Sequence, residues 1–145
     1  MAEQRGTPLA AVLVHREGDT AEEAEVRRAN RRFYDAFEAR DIDAMSDVWE
    51  HDDRVSCTHP GWRTLHGWGA VSGSWFALFR GPQPLQFILT DEHVRVLGDA
   101  AWVTVDENLI SAEGSGTVAA VNVFVRREGG WRLVAHHGSA VAPQS

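Results

Sequence analysis

Thr117-Val-Ala-Ala-Val-Asn-Val-Phe-Val-Arg-Arg127, the link Glu128-Gly-Gly130 and Trp131-Arg-Leu-Val-Ala-His-His-Gly-Ser-Ala-Val141 decide the fold. Both flanks are rich in β-branched and aromatic residues, and the short Gly-Gly link between them is hairpin chemistry. Working backwards, Glu113-Gly-Ser-Gly116 and Gly98-Asp99 set off two more such runs, about 100–112 and 85–97. Four strands with short turns form an antiparallel meander. Upstream of Pro82 and Pro84 the apolar period lengthens. Val26, Ala29, Phe33 and Phe37 recur at helical spacing behind a capping box, Thr20 with Glu23. Asp41 can cap a second short helix carrying Ile42, Met45, Val48 and Trp49. Val55 to His59 reads as a short strand stopped by Pro60-Gly61. Trp68, Val71, Trp75 and Phe79 give a third helix over 67–80, weakened by Gly69 and Gly73. Helices first and a meander afterwards predict an α+β domain, with three N-terminal helices packed in the concave face of a mostly antiparallel sheet.

On the strand 117–127, Ala120, Asn122 and Phe124 share one side, and Val121, Val123 and Val125 share the other. Helices cover only one face of a meander. The valine face therefore needs a second cover, and a second copy of the chain is the simplest one. Residues 1–18 read as a lead-in and 19–145 as one domain. The apolar run Leu9 to Val14 is too short to span a bilayer; an added strand or turn and a loose lead-in both fit it.

Composition removes several function classes. The 145 residues carry a net charge of −7, which repels nucleic acid and anionic membrane surfaces. The run Arg27, Arg28, Arg31 and Arg32 is interleaved with acidic residues and reads as a solvated helix face. Cys57 is the only cysteine, so there is no intrachain disulfide and no multi-cysteine zinc site. A cytoplasmic location suits that. His51, His59, His66, His136 and His137 lack the spacing of a helical zinc motif, and neither a metal nor a cofactor is expected.

Several segments together resemble the nuclear transport factor 2-like superfamily. Phe37-Glu-Ala-Arg-Asp-Ile-Asp-Ala-Met-Ser-Asp-Val-Trp49 is similar to its link and second helix. His59-Pro-Gly-Trp62, Leu65-His-Gly67 and the closing Trp131–Ser139 strand are similar to its SnoaL-like members. The resemblance covers about residues 20–142. It implies a strongly curved sheet wrapped round three helices, a cone whose mouth admits a small ligand, and homodimers through the convex face. It is specific for fold and weak for activity. Ketosteroid isomerases of this superfamily use a carboxylate base with a tyrosine and a protonated aspartic acid. By that resemblance the tyrosine position falls on Phe33, with Tyr34 beside it expected to point elsewhere. The base position falls at Cys57 and the protonated acid at Asn122, so the isomerase set is not present.

Other groups remain for proton transfer. His59 ends the strand that lines the cone in relatives. His137 matches the family's closing histidine and shares strand phase with Trp131, Ala135 and Ser139, which places it on the concave face and His136 on the convex one. Asp106, Glu107 and Asn108 interrupt an apolar strand, and alternation sends Asp106 and Glu107 to opposite faces; which of them faces inward stays open at this point. The candidate catalytic residues are His59, His137 and Asp106. Phe33, Trp62, Trp75, Asn122, Phe124 and Ser139 are the candidate ligand contacts. Three functions remain: acid–base catalysis as an isomerase, cyclase, dehydratase or hydrolase on a small, mostly apolar compound; non-catalytic binding of such a ligand; and dimeric assembly.

Overall fold

The computed structural model describes residues 18–82 and 84–143; the Leu9–Val14 run lies outside them. Helix α1 spans Ala21–Ala39, α2 Ile42–Val48 and α3 Trp68–Phe79. The strands are β1 Ser56–Thr58, β2 Leu65–His66, β3 Gln86–Leu97, β4 Ala100–Ser111, β5 Gly114–Arg127 and β6 Gly130–Ala140. They form one six-stranded sheet in the order β2-β1-β6-β5-β4-β3. Only β1 beside β6 is parallel, which makes the sheet mixed but mostly antiparallel.

The local signals act as their chemistry requires. Thr20 Oγ1 accepts from the Glu23 amide while Glu23 Oε1 accepts from the Thr20 amide, closing the capping box at 3.0 and 2.8 Å. Arg40 closes α1 in the left-handed conformation, and Asp41 then caps α2 through the Ala44 amide. Both α3 glycines face open space, so no neighbouring backbone needs them small. Buried Val71 and Trp75 hold this helix in place. The two-residue strand β2, which sequence periodicity misses, pairs Leu65 with Cys57.

One helix reaches across four strands. Along α1, Arg27 and Asn30 bond Glu92 of β3, Tyr34 bonds Glu107 of β4, Asn30 and Tyr34 bond Asn122 of β5, and Glu25 accepts from Trp131 of β6. Strands lie about 4.8 Å apart, so four of them can converge on a helix about 10 Å across only by curling round it. The core fills that curl: Val26, Phe33, Met45, Trp49, Val71, Trp75, Val103, Phe124 and Leu133 are all but fully buried. On the outer face Val121, Val123 and Val125 are half-buried, and Trp102, opposite Val123, is 37% exposed.

Two β-bulges re-aim side chains inside this frame. Between Thr90 and His93 the β3–β4 register slips at Asp91, which adopts a positive φ of 54°, and Glu92 reaches α1. Between Val123 and Phe124 the β5–β6 register slips so that Val134 has no partner. The buried positions of β6 therefore run Trp131, Leu133, then His136 and Gly138.

Candidate functional site

The interior of the cone carries a connected polar cluster. Asn122 of β5 sits at its centre and is fully buried. Its Nδ2 donates to Asn30 Oδ1 at 2.9 Å and to Tyr34 Oη at 3.1 Å. Its Oδ1 lies 2.6 Å from His136 Nδ1. Because that oxygen only accepts, His136 carries its proton on Nδ1 and leaves Nε2 with a lone pair. Tyr34 passes its own proton on, donating to Glu107 Oε2 at 2.5 Å. Asn30 Nδ2 donates to Glu92 Oε2 at 2.8 Å, and Glu92 is held by Arg27, which also binds Asp19. From Asn122 the donors thus run toward two carboxyl groups, Glu92 through Asn30 and Glu107 through Tyr34.

The two carboxyls differ. Glu92 has a guanidinium against it. Glu107 has only a phenol, and it is 3% exposed. Burial pushes its pKa up to about 7, against the smaller lowering effect of the Tyr34 hydrogen bond. Burial and the neighbouring Glu107 in turn hold the Tyr34 phenol well above its usual range. The surroundings are apolar. Leu89 lies directly across the strand pair from Glu107, and Phe87 across from Leu109. The Phe87 ring centroid is 4.6 Å from Phe37 and 5.6 Å from Tyr34; Phe37 also meets Trp75 at 4.8 Å and Phe79 at 6.2 Å. Phe37, Phe79, Leu85, Leu89 and Leu109 are only partly buried, so this side of the core touches solvent.

A second polar group lies beside the first. His59 Nε2 is 2.9 Å from Ser74 Oγ, whose own proton goes to the Val71 carbonyl at 2.7 Å. Ser74 therefore accepts, and His59 is protonated at Nε2. Cys57 Sγ is 3.7 Å from the same nitrogen. Burial lowers the His59 pKa to about 4, and raises that of Cys57 to about 12 with Glu107 adding to it. His136 falls to about 3 through burial and, less, through His59 and His137. Both buried imidazoles are neutral bases and Cys57 is a thiol. Trp75 Nε1 is buried with no acceptor among the described residues.

The structure sorts the sequence candidates. Phe33, Trp75, Asn122 and Phe124 are interior, and so is His59. His137 and Ser139 are exposed on the outer face, contrary to expectation. The bulge at Val134 reverses the alternation of β6, so His136 takes the inward position that a regular strand would give His137. Asp106 is likewise on the outer face, where it shares a shallow 280 Å³ cleft with His137, Asp91 and Thr104, apart from His59. Trp62 is 44% exposed and touches the cone only through an edge contact of its ring with His59, at 4.9 Å. Tyr34 points inward, not elsewhere. The apolar stripe of α1 is wide enough to bury positions 26, 27, 30, 33 and 34 together. Sequence reasoning leaves Glu107 undecided against Asp106 and misses Asn30, Tyr34 and His136. Asn30 and Tyr34 are four apart beside the apolar stripe, a spacing that could have flagged them. Among the described residues no three His, Cys, Asp or Glu side chains converge to hold a metal, and no helix is long and apolar enough to cross a membrane.

Comparison with known proteins places this geometry. Residues 26–143 match the sequence profile of the SnoaL-like domain. The F-box protein SKIP8 of Arabidopsis thaliana is 32% identical over 112 residues, which cover 77% of this chain and 48% of that protein. The chain thus spans about half the length of this curated relative. A Streptomyces avermitilis protein of the nuclear transport factor 2-like family, provisionally described as a dehydratase, shares 38% identity with a TM-score of 0.77 over 83% of this chain and 96% of that one. A Thiobacillus denitrificans structure, provisionally described as a calcium/calmodulin-dependent protein kinase type II association domain, shares 39% identity with a TM-score of 0.69 over 79% and 93%. Further structures with the same architecture are described as cystatin-like folds.

Proposed function

The chain belongs to the SnoaL-like family, and from that premise we propose that it binds a small, mostly apolar compound inside the cone and moves a proton on it, with Glu107 as the acid–base group. One observation carries the reading: a carboxyl buried among apolar residues, bonded by a neutral phenol and lacking a countercharge, with its pKa near 7. A group that changes protonation close to neutral pH is matched to general acid–base work. Ionised Glu107 takes a proton from the ligand. Tyr34 holds the carboxylate that waits and turns with the carboxylic acid that results. Phe37, Phe79, Phe87, Leu89 and Leu109 supply an apolar wall. A charged ligand is disfavoured there, because burying an unpaired ion is costly. The reaction classes that fit are isomerisation, cyclisation and dehydration, and the dehydratase description of the Streptomyces avermitilis relative agrees with the last.

The test needs no known substrate. Uncharged cyclic ketones are incubated in D2O with the protein, and NMR follows deuterium wash-in at the carbon beside the carbonyl. Catalysed exchange that rises through pH 7 and vanishes in Glu107→Gln supports the proposal. Exchange no faster than buffer for every ketone, or unchanged in Glu107→Gln, contradicts it.

Assembly is a second reading, favoured by the half-buried valines 121, 123 and 125 and by Trp102 on the outer face. The kinase association-domain description of the Thiobacillus denitrificans structure agrees with it. We propose a homodimer through this face, with Val123→Arg sedimenting as a monomer. A single buried thiol suits a reducing compartment such as the cytoplasm.

A further inference from the structure

Asn30, Asn122 and His136 form a relay whose direction is set at its far end. Glu92, with the Arg27 guanidinium against it, can only accept, so Asn30 turns its Nδ2 toward it and its Oδ1 toward Asn122. Asn122 then presents Nδ2 to Asn30 and Oδ1 to His136. The result is an imidazole with its proton on Nδ1 and its lone pair on Nε2, on the edge of the ring away from its own backbone. No donor among the described residues reaches that nitrogen.

The Trp75 ring lies beside this imidazole, with centroids 6.0 Å apart. It is fully buried, and its Nε1–H has no acceptor among the described residues. Trp49 Nε1 shares that state, but the Trp49 ring meets Trp68 and Trp75 and neither buried imidazole. Trp75 alone of the two has an unused acceptor next to its unused donor. His59 is also near, edge-on to Trp75 at 4.7 Å. Its Nε2 proton goes to Ser74, and its lone pair on Nδ1 sits on the backbone side of its ring. Trp75 further meets Phe37 at 4.8 Å and Phe79 at 5.7 Å, so it joins the solvent-touching apolar wall to His136.

We propose that Trp75 Nε1 and His136 Nε2 form a subsite for a hydroxyl group of the ligand, with Trp75 donating to the hydroxyl oxygen and His136 accepting its proton. This rests on the interior ligand site proposed above. It narrows the occupant to uncharged compounds that carry a hydroxyl as well as the acidic C–H. A hydroxyl donates and accepts at one atom, whereas a carbonyl or an ether satisfies only the indole. One oxygen about 2.9 Å from each nitrogen bridges nitrogens up to about 5.8 Å apart. Ring centroids 6.0 Å apart allow that span. The two ends of the site are tied together, because Asn122 bonds His136 through Oδ1 and, through Nδ2, the Tyr34 that donates to Glu107.

Binding to the full chain at about pH 6, below the Glu107 pKa, tests this with three probes: 3-hydroxycyclohexanone, cyclohexanone and 3-methoxycyclohexanone. Nitrogen-15 spectra of the imidazoles and indoles report on each nitrogen. Before any probe is added, His136 should be the Nδ1–H tautomer. The hydroxy ketone should bind about tenfold tighter than the other two, the effect of a well-made hydrogen bond at a buried group. It should move the Trp75 Nε1 and His136 Nε2 resonances together. Trp75→Phe, which keeps an aromatic ring in the core, should erase the preference. A His136 Nε2–H tautomer, binding by none of the probes, or a shift at His59 in place of His136 overturns the subsite. Equal affinity for all three overturns it as well, and would mean that the two nitrogens hold only water. The readout is binding. Lost hydroxyl preference with intact Glu107-dependent deuterium exchange therefore removes the subsite alone, whereas the preference without exchange keeps the subsite and removes the proton transfer.

Discussion

His136 Nδ1 lies 2.6 Å from Asn122 Oδ1, and this contact exists because β6 carries one residue, Val134, that β5 does not match. Without that bulge His137 would face the core and the polar cluster would lack its imidazole. The two neighbours should therefore respond oppositely to truncation. His136→Ala leaves a cavity and an unsatisfied Asn122 carbonyl, and should cost roughly 2–4 kcal/mol. His137→Ala changes an exposed side chain and should stay within about 0.5 kcal/mol. Urea denaturation of both variants gives the comparison; equal losses would contradict the register.

Asn122→Ala should be more damaging than a typical core truncation. It strands the Asn30 carbonyl oxygen, the Tyr34 oxygen and the His136 N–H at once. A loss of roughly 3–5 kcal/mol is expected. A double-mutant cycle with His136→Ala should show strong coupling, since the two residues share one bond.

Stability should rise with pH up to about 7 and level off there. In the folded chain Glu107 holds its proton up to about 7, whereas an unfolded glutamate releases it near 4.5. The folded state therefore binds the extra proton across that window, and this contribution to stability falls there as pH rises, by roughly 3 kcal/mol in all. The buried histidines act the other way. Unfolded imidazoles take up protons below about 6.5, but His59 waits until about 4 and His136 until about 3. Stability is therefore lost as pH falls below 6.5. Two histidines outweigh one glutamate between about pH 4.5 and 6.5, and near pH 7 the opposing contributions cancel. Denaturation midpoints from pH 4 to 8 trace this profile, and Glu107→Gln should steepen its rise between pH 4.5 and 6.5.

Gly73→Ala should stabilise the chain by about 0.5–1 kcal/mol. Gly73 is exposed within α3, and an added Cβ meets nothing within 4 Å. A matched urea titration checks it; destabilisation would mean that the outer face of this helix is covered.

The sequence carries the elements well, because each rests on chemistry local to its own segment. Thr20 with Glu23, Asp41 and the turn at 98–99 are such signals and act as read, whereas the other two turns are tighter than the breaks suggest, at 112–113 and 128–129, with Gly114–Gly116 already in β5 and Gly130 in β6. The interior was less legible. Alternation divides Asp106 from Glu107 but cannot say which is inside; that choice belongs to α1, where Tyr34 stands ready to bond Glu107. The His136–His137 order was misread because a bulge at Val134 has no glycine or proline to announce it. Helical spacing picked out the apolar stripe of α1 and passed over the polar residues along its edge, which carry the candidate chemistry.

Removing the Tyr34 hydroxyl should raise the Glu107 pKa further, since that hydrogen bond favours the carboxylate. Tyr34→Phe should accordingly shift any Glu107-dependent pH profile to higher pH. A shift downward would mean that the phenol stabilises the protonated form instead.

The most direct measurement is the titration of Glu107 itself, by NMR of glutamate carboxyls labelled with carbon-13, assigned by the resonance lost in Glu107→Gln. The proposed acid–base role predicts an apparent pKa close to 7. A Glu107 resonance that titrates near 4.5 would leave the interior without a group poised for proton transfer at neutral pH, and the proposed chemistry would fail with it.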